Sequence, residues 1–207
     1  MRFSFDPESP IMQFLSRLGD LVFLNIVFLV TCLPVFTIGA ANAALYDTVS
    51  RMDTPKEGKL FPTYFRSFRE NFRQGCVVWL ILALFALASC LNMVRFSQFD
   101  GILGKILFLF SLFMLIISVF VFSYAFPLMS RFANSTRNTL KNALLLSVAQ
   151  LPRTLLLAAI HVFPWVLLFM NLYAFLRLSF LWFALYFAAA AYFSSRVLNP
   201  VLDSLIS

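Results

Sequence analysis

Five stretches of the chain run for eighteen residues or more without a charged side chain: Leu21–Tyr46, Gln74–Val94, Ile106–Ser130, Thr154–Leu176 and Leu178–Ser195. A helix rises 1.5 Å per residue, so about 20 apolar residues cover a hydrocarbon core of about 30 Å. A helix also satisfies its own backbone polar groups where there is no water. The pattern predicts an all-α, polytopic membrane bundle. It is a single domain over residues 1–207, with five transmembrane helices at approximately 21–46, 74–94, 106–130, 154–176 and 178–195 and short amphipathic interfacial helices between them.

Two of these boundaries follow from length. Only Arg177 separates the fourth and fifth runs, yet one helix over both would extend roughly 60 Å, about twice the hydrocarbon thickness. The chain is expected to fold back near Tyr173–Arg177, although no Gly or Pro marks the turn. The first run is interrupted by Pro34 and Gly39, but its 26 residues reach only about 39 Å, too short to cross twice. A single crossing with a kinked or unwound inner end is predicted.

The connections carry their own periodicity. Ser9-Pro10 is a helix start, and Ile11, Phe14, Leu15 and Leu18 follow at i, i+3, i+4 and i+7, so residues 1–20 read as an amphipathic lead-in at the interface. Asp53–Gly58 reads as a turn-rich loop. Beyond it Phe61, Phe65, Phe68 and Phe72 form one stripe, and Arg66, Arg69 and Arg73 form a second. Such a helix suits an anionic membrane surface, its rings in the acyl boundary. The sharper alternative is a groove on a protein partner. Asn138–Pro152 predicts a further short helix in a basic connection.

Composition agrees. With 61% apolar and 12% charged residues, the chain lies far from the roughly 25% charged of soluble domains. Between Asp100 and Asp203 there is no Asp or Glu at all. Eleven Lys/Arg fall in Asp47–Arg73, Arg131–Arg153 and the C-terminal tail, against five on the opposite side. The positive-inside rule then places the N-terminus outside and the C-terminus in the cytoplasm. It also accounts for the net charge of +7, so no nucleic-acid partner is expected. Ala41-Asn42-Ala43 has the spacing of a signal-peptidase site, but the segment before it is not basic and its apolar stretch is too long. Cys32, Cys76 and Cys90 lie in apolar runs and read as buried small hydrophobes.

Little in the chain points to catalysis. Proton relays and ion-coupled carriers keep carboxylates inside the bilayer, and the last three runs have none. Asp20 and Asp47 are expected at solvated interface positions. The lone His161, near Pro164 and Trp165, is expected to hydrogen-bond a neighbouring helix. No phosphate loop, nucleophile elbow or metal-ligand cluster occurs, so no cofactor, no metal and no enzymatic activity are expected.

One stretch is more specific. In Asn25–Tyr46, Pro34 removes a backbone donor, Thr31 and Thr37 offer hydroxyls to the broken ladder, Gly39 and Ala40 permit close helix approach, and Asn42 adds an amide. The segment Leu33–Ala40 (Leu-Pro-Val-Phe-Thr-Ile-Gly-Ala), together with Phe68-x-x-Asn71-Phe72, Asn142-Ala143, Leu151-Pro152 and Asn199-Pro200, resembles the YesL family of bacterial integral-membrane proteins. The resemblance spans the whole chain. It implies a bacterial cell (inner) membrane protein associated with carbohydrate uptake and its ABC importers, and it carries no catalytic residues.

Two functions are therefore expected. The first is a non-enzymatic accessory or assembly protein, whose partners are membrane lipids and the permease of a carbohydrate ABC importer. The alternative is a small independent transporter or channel whose polar path would be lined by Asn25, Asn42, Ser118, Ser123 and Asn171. The first is preferred because the same polar residues serve equally well as helix–helix bonds.

Overall fold

The computed structural model describes residues 10–52 and 60–205; the expected loop Asp53–Gly58 and the lead residues before Pro10 lie outside that range. The described residues form helices joined by short connections, with no strand. In chain order they form α1 (Pro10–Cys32), a 3-10 turn (Val35–Thr37), α2 (Ile38–Arg51), α3 (Leu60–Glu70) and α4 (Phe72–Phe96). Next come α5 (Ile102–Arg131), α6 (Thr136–Ala149), α7 (Leu151–Met170), α8 (Leu172–Arg177) and α9 (Ser179–Asp203), the last containing a π-helical turn at Trp182–Tyr186. The helices α1, α4, α5, α7 and α9 are each long and apolar enough to cross a membrane. The molecule is a multi-pass helical membrane bundle.

Two boundaries differ from the sequence reading. The lead-in and the first span are one continuous helix, α1, because nothing between Pro10 and Cys32 breaks the ladder and Gly19 meets no neighbour. Ile11, Phe14 and Leu15 are exposed along it and belong to the span itself, not to a separate interfacial helix. Residues 38–46, expected as the inner end of the first span, instead open a separate helix, α2. At the other end of the chain the reversal comes at Asn171, a little before the expected turn. The Asn171 side chain accepts from the Ala174 amide at 2.9 Å and so caps α8; an Asn N-cap does here what Gly or Pro does elsewhere.

The core sits at one end of the bundle, where the C-terminal ends of α1, α5 and α9 meet the N-terminal ends of α4 and α7. Helix α2 lies at its centre: Ala40, Ala41, Ala43, Ala44 and Val49 are completely buried. Small side chains let the surrounding backbones close on it. Gly39 and Gly75 are the tightest point, since a Cβ on Gly39 would lie 2.0 Å from the Gly75 carbonyl oxygen. Asp47, expected at a solvated boundary, is carried into this core by α2 and pairs with Arg51 Nε at 2.7 Å. Polar ties close the same end. Gln74 Nε2 donates to the Asn134 carbonyl and to Thr139 Oγ1, at 2.9 and 3.0 Å. Arg131 ion-pairs with Asp203 and donates to Asn199 Oδ1 at 2.7 Å. Toward the opposite end Leu84, Leu91, Ile102, Leu109, Phe169 and Met170 are more than half exposed, as side chains facing hydrocarbon would be.

Candidate functional site

The break between α1 and α2 is built from the residues the sequence singled out. Pro34 has extended backbone (φ −76°, ψ 105°) and, with Leu33, Val35 and Phe36, is exposed at the tip of the break. Thr37 turns inward. Its hydroxyl donates to the carbonyl of Thr31 at 2.5 Å, which the interrupted ladder leaves open, or of Pro34 at 2.6 Å, which also accepts from the Thr37 amide. Thr31 donates in turn to the carbonyls of Val27 and Phe28, which leaves its oxygen to accept from the Tyr64 hydroxyl at 2.6 Å. Tyr64 thus ties α3 to the end of α1. Burial pushes its hydroxyl well above the ordinary tyrosine range, against the smaller opposing effect of the Thr31 bond, so Tyr64 is a neutral donor.

Asn25 holds the second irregularity. A π-turn removes regular i to i−4 bonds, and Asn25 supplies what α9 loses there. Its Nδ2 donates to the carbonyls of Trp182 and Phe183 at 3.2 and 2.7 Å, and its Oδ1 accepts from the Ala188 amide at 2.9 Å. The side chain is fully buried with both amide ends in use. It is a helix–helix bond and lines no path.

His161 lies on α7 against α2. Its Nδ1 contacts the Leu157 carbonyl at 2.7 Å, an atom that can only accept, so Nδ1 carries the proton and the neutral ring accepts at Nε2 from the Tyr46 hydroxyl at 3.3 Å. Phe122 closes over the ring edge to face, with centroids 5.4 Å apart. The buried Ser194 hydroxyl lies next to the Tyr46 hydroxyl.

Above this pair the helices enclose a cavity of about 510 Å³. Phe28, Leu45, Trp79, Phe122, Trp182 and Ala191 are among its walls, and among the described residues no charged side chain lines it. Asn42 and Ser118 reach it, but Asn42 Nδ2 donates to the Ile38 carbonyl at 2.9 Å and Ser118 Oγ to Met114 at 3.0 Å, each within its own helix. Ser123 likewise bonds Val119. Asn171 is exposed at the α7–α8 break. The five residues of the expected path are therefore not brought together: two touch the cavity, two serve the helices, and one caps a remote turn.

Helix α3 presents the fourth group. Phe61, Phe65 and Phe72 are exposed, Phe68 is half-buried against the core, and neighbouring rings touch, with Phe61 and Phe65 centroids 4.6 Å apart. The side chains that α3 buries in protein are Tyr64 and Ser67. Arg66, Arg69 and Arg73 are exposed beside the rings. Sequence reasoning missed Tyr64, Ser67 and Gly75. Tyr64 and Ser67 stand three apart on the face beside the Phe stripe, and the four Phe mask that weaker signal; Gly75 is a lone Gly opening an apolar run. Among the described residues no three His, Cys, Asp or Glu side chains gather as a metal site would require.

Comparison with known proteins adds a family to this geometry. The sequence profile described as "Protein of unknown function, DUF624" matches residues 21–93, which take in α2, α3 and nearly all of α4. A protein of Bacillus subtilis (strain 168), described as "Uncharacterized protein YesL", is 31% identical over 146 residues, 69% of this chain and 68% of that protein. No solved structure matches significantly.

Proposed function

We propose, from the premise that this chain belongs to the family of YesL-like membrane proteins, that it is a non-enzymatic accessory or assembly protein acting by contact with another membrane protein. The observation that carries this reading is α3. It is anchored to the bundle through Tyr64 and Thr31, yet it offers outward two exposed Phe rings (Phe61, Phe65) and two exposed Arg side chains (Arg66, Arg69), which Phe72 and Arg73 at the start of α4 extend. Aromatic and Arg side chains are those that contribute most at protein interfaces. The polar groups within the bundle support the same view, since Asn25, Thr31 and Thr37 tie elements together and Ser118 and Ser123 bond carbonyls of their own helix.

The partner proposed is the permease of a carbohydrate ABC importer, which rests on the family resemblance and not on a residue of this site. The setting proposed is a bacterial cell membrane, with α3 and the C-terminus on the cytoplasmic side, in keeping with the eleven basic residues of those connections. Deleting the protein is expected to lower uptake of one sugar class while leaving the importer's ATPase subunit at its normal level. A C-terminal tag is expected to recover the permease. Unchanged uptake of every sugar, together with a tag that recovers no permease, would remove this reading. The rival reading is a transporter. Flux of a sugar or ion through liposomes holding only the purified chain, well above that of empty vesicles, would put it first.

A further inference from the structure

The cavity between the spans is graded. Leu45, Tyr46, Ala191 and Phe28 at its floor are 1–5% exposed, whereas Trp165, high on α7, is 62% exposed. It therefore closes on α2 and opens toward the bundle end where side chains such as Leu84 and Phe169 face outward. Five helices of membrane-spanning length contribute to its walls, and the exposed Trp165 at its mouth lies within the span Leu151–Met170, so a mouth on that flank of α7 faces the hydrocarbon.

Its walls say what it can hold. Six of the polar side chains on the lining already have a partner inside the protein. Asn42 bonds Ile38, Ser118 bonds Met114, His161 bonds Leu157 and Tyr46, Tyr186 bonds Ile160, and Trp182 Nε1 donates to Phe175. The groups left over, chiefly the indole N–H of Trp79 and Trp165 and the Oδ1 of Asn42, sit on three different helices and are too few to replace the hydration of a sugar or an ion, whose loss costs about 1–3 kcal/mol for each unpaired polar group. An apolar cavity does not hold water well either. Its volume of about 510 Å³ falls in the range of small-molecule sites, roughly 300–1,000 Å³.

We propose that this cavity is a binding site for the hydrocarbon chain of a membrane lipid, which enters from the open end and reaches down to the Tyr46–His161 pair. The occupant is the chain and not a headgroup, because among the described residues no charged side chain lines the site.

All three Trp of the protein line the cavity, which gives a direct readout. Trp182 is the reporter: it is 7% exposed, so bulk lipid scarcely touches it. A variant retaining only that Trp (Trp79→Phe, Trp165→Phe) is reconstituted in phosphatidylcholine brominated along one acyl chain and in the unbrominated lipid. Trp182 emission is expected to fall in the brominated bilayer. Filling the cavity with Ala83→Phe, or with Ala190→Phe on the opposite wall should the first variant fail to fold, is expected to restore it. Equal emission in the two bilayers would overturn the proposal, as would quenching that persists in a folded, filled variant. So would quenching that a soluble neutral sugar relieves by competition.

Discussion

Asn25 shows what one side chain does in a helix that water cannot reach. Its amide replaces three backbone partners that the π-turn of α9 loses, at separations of 157 to 163 residues along the chain. Leaving such groups unpaired costs about 1–3 kcal/mol. Asn25→Leu, close in size but unable to bond, is expected to destabilise the protein by that amount, read as a lowered melting temperature in detergent, whereas Asn25→Gln should lose less. No change on Asn25→Leu would mean that the π-turn satisfies itself. The sequence marked Asn25 as a polar residue inside a span. It could not name the partner, because a π-turn leaves no signature in Trp182–Tyr186, a run that reads as ordinary apolar helix. His161 was legible to the same depth: one polar side chain, its neighbour unknown. Thr37 was legible further, since its bonds to Thr31 and Pro34 are local and follow from a proline's missing donor.

At the scale of elements, the α2–α4 crossing and the α1–α2 break make different demands. Gly39 and Gly75 put backbone against backbone, and a Cβ on Gly75 would lie 2.6 Å from the Ala40 amide nitrogen. Overpacking typically costs about 1–3 kcal/mol, and here the obstacle is main chain, so Gly39→Leu is expected at or beyond the upper end. Pro34, in contrast, is exposed and its backbone is already extended. Pro34→Ala is expected to stay within about 0.5 kcal/mol, as surface substitutions do. Thermal unfolding of the two single variants and the double variant checks this: the double should follow Gly39→Leu. A large loss from Pro34→Ala alone would show that proline itself makes the break. The irregularity of this segment was readable from Pro34, Thr37 and Gly39, but its outcome was not. That α2 becomes a buried helix depends on Gly75, Tyr124 and Ala188 of other elements, and the alternation of apolar residues cannot express that. Helix α3 illustrates the same limit: the Phe stripe marks the face turned away from the bundle, while the face held by the protein, Tyr64 and Ser67, leaves too weak a pattern to read.

Across the whole molecule, hydrophobic length settles most of the architecture. The helices α4 and α5 lie within a few residues of the uncharged runs, since each run is bounded by charges that stay at the ends of a span. The first and fourth runs drifted further, because a helix continues through Arg17 and Asp20 without a breaker and because an Asn cap is a weak signal. Orientation is a separate claim and has its own test. In a background lacking Cys32, Cys76 and Cys90, a Cys at Ser135 should react with a membrane-impermeant thiol reagent only after the inner face is opened, and a Cys at Gln98 should react in intact cells. The reverse pattern would invert the molecule. Both positions are exposed in short connections, so reagent access does not limit the result.

The central claim, that the protein works through contact with another membrane protein, is tested most directly on α3. A photo-crosslinking residue placed at Phe65, which is exposed between the Arg66 and Arg69 side chains and the neighbouring rings, is irradiated in native membranes and the adducts are identified by mass. The expected result is a covalent adduct with an ABC-importer permease, lost when Arg66 and Arg69 are both changed to Glu. Adducts with lipid alone, at a position and in cells where the protein is present at its normal level, would contradict it.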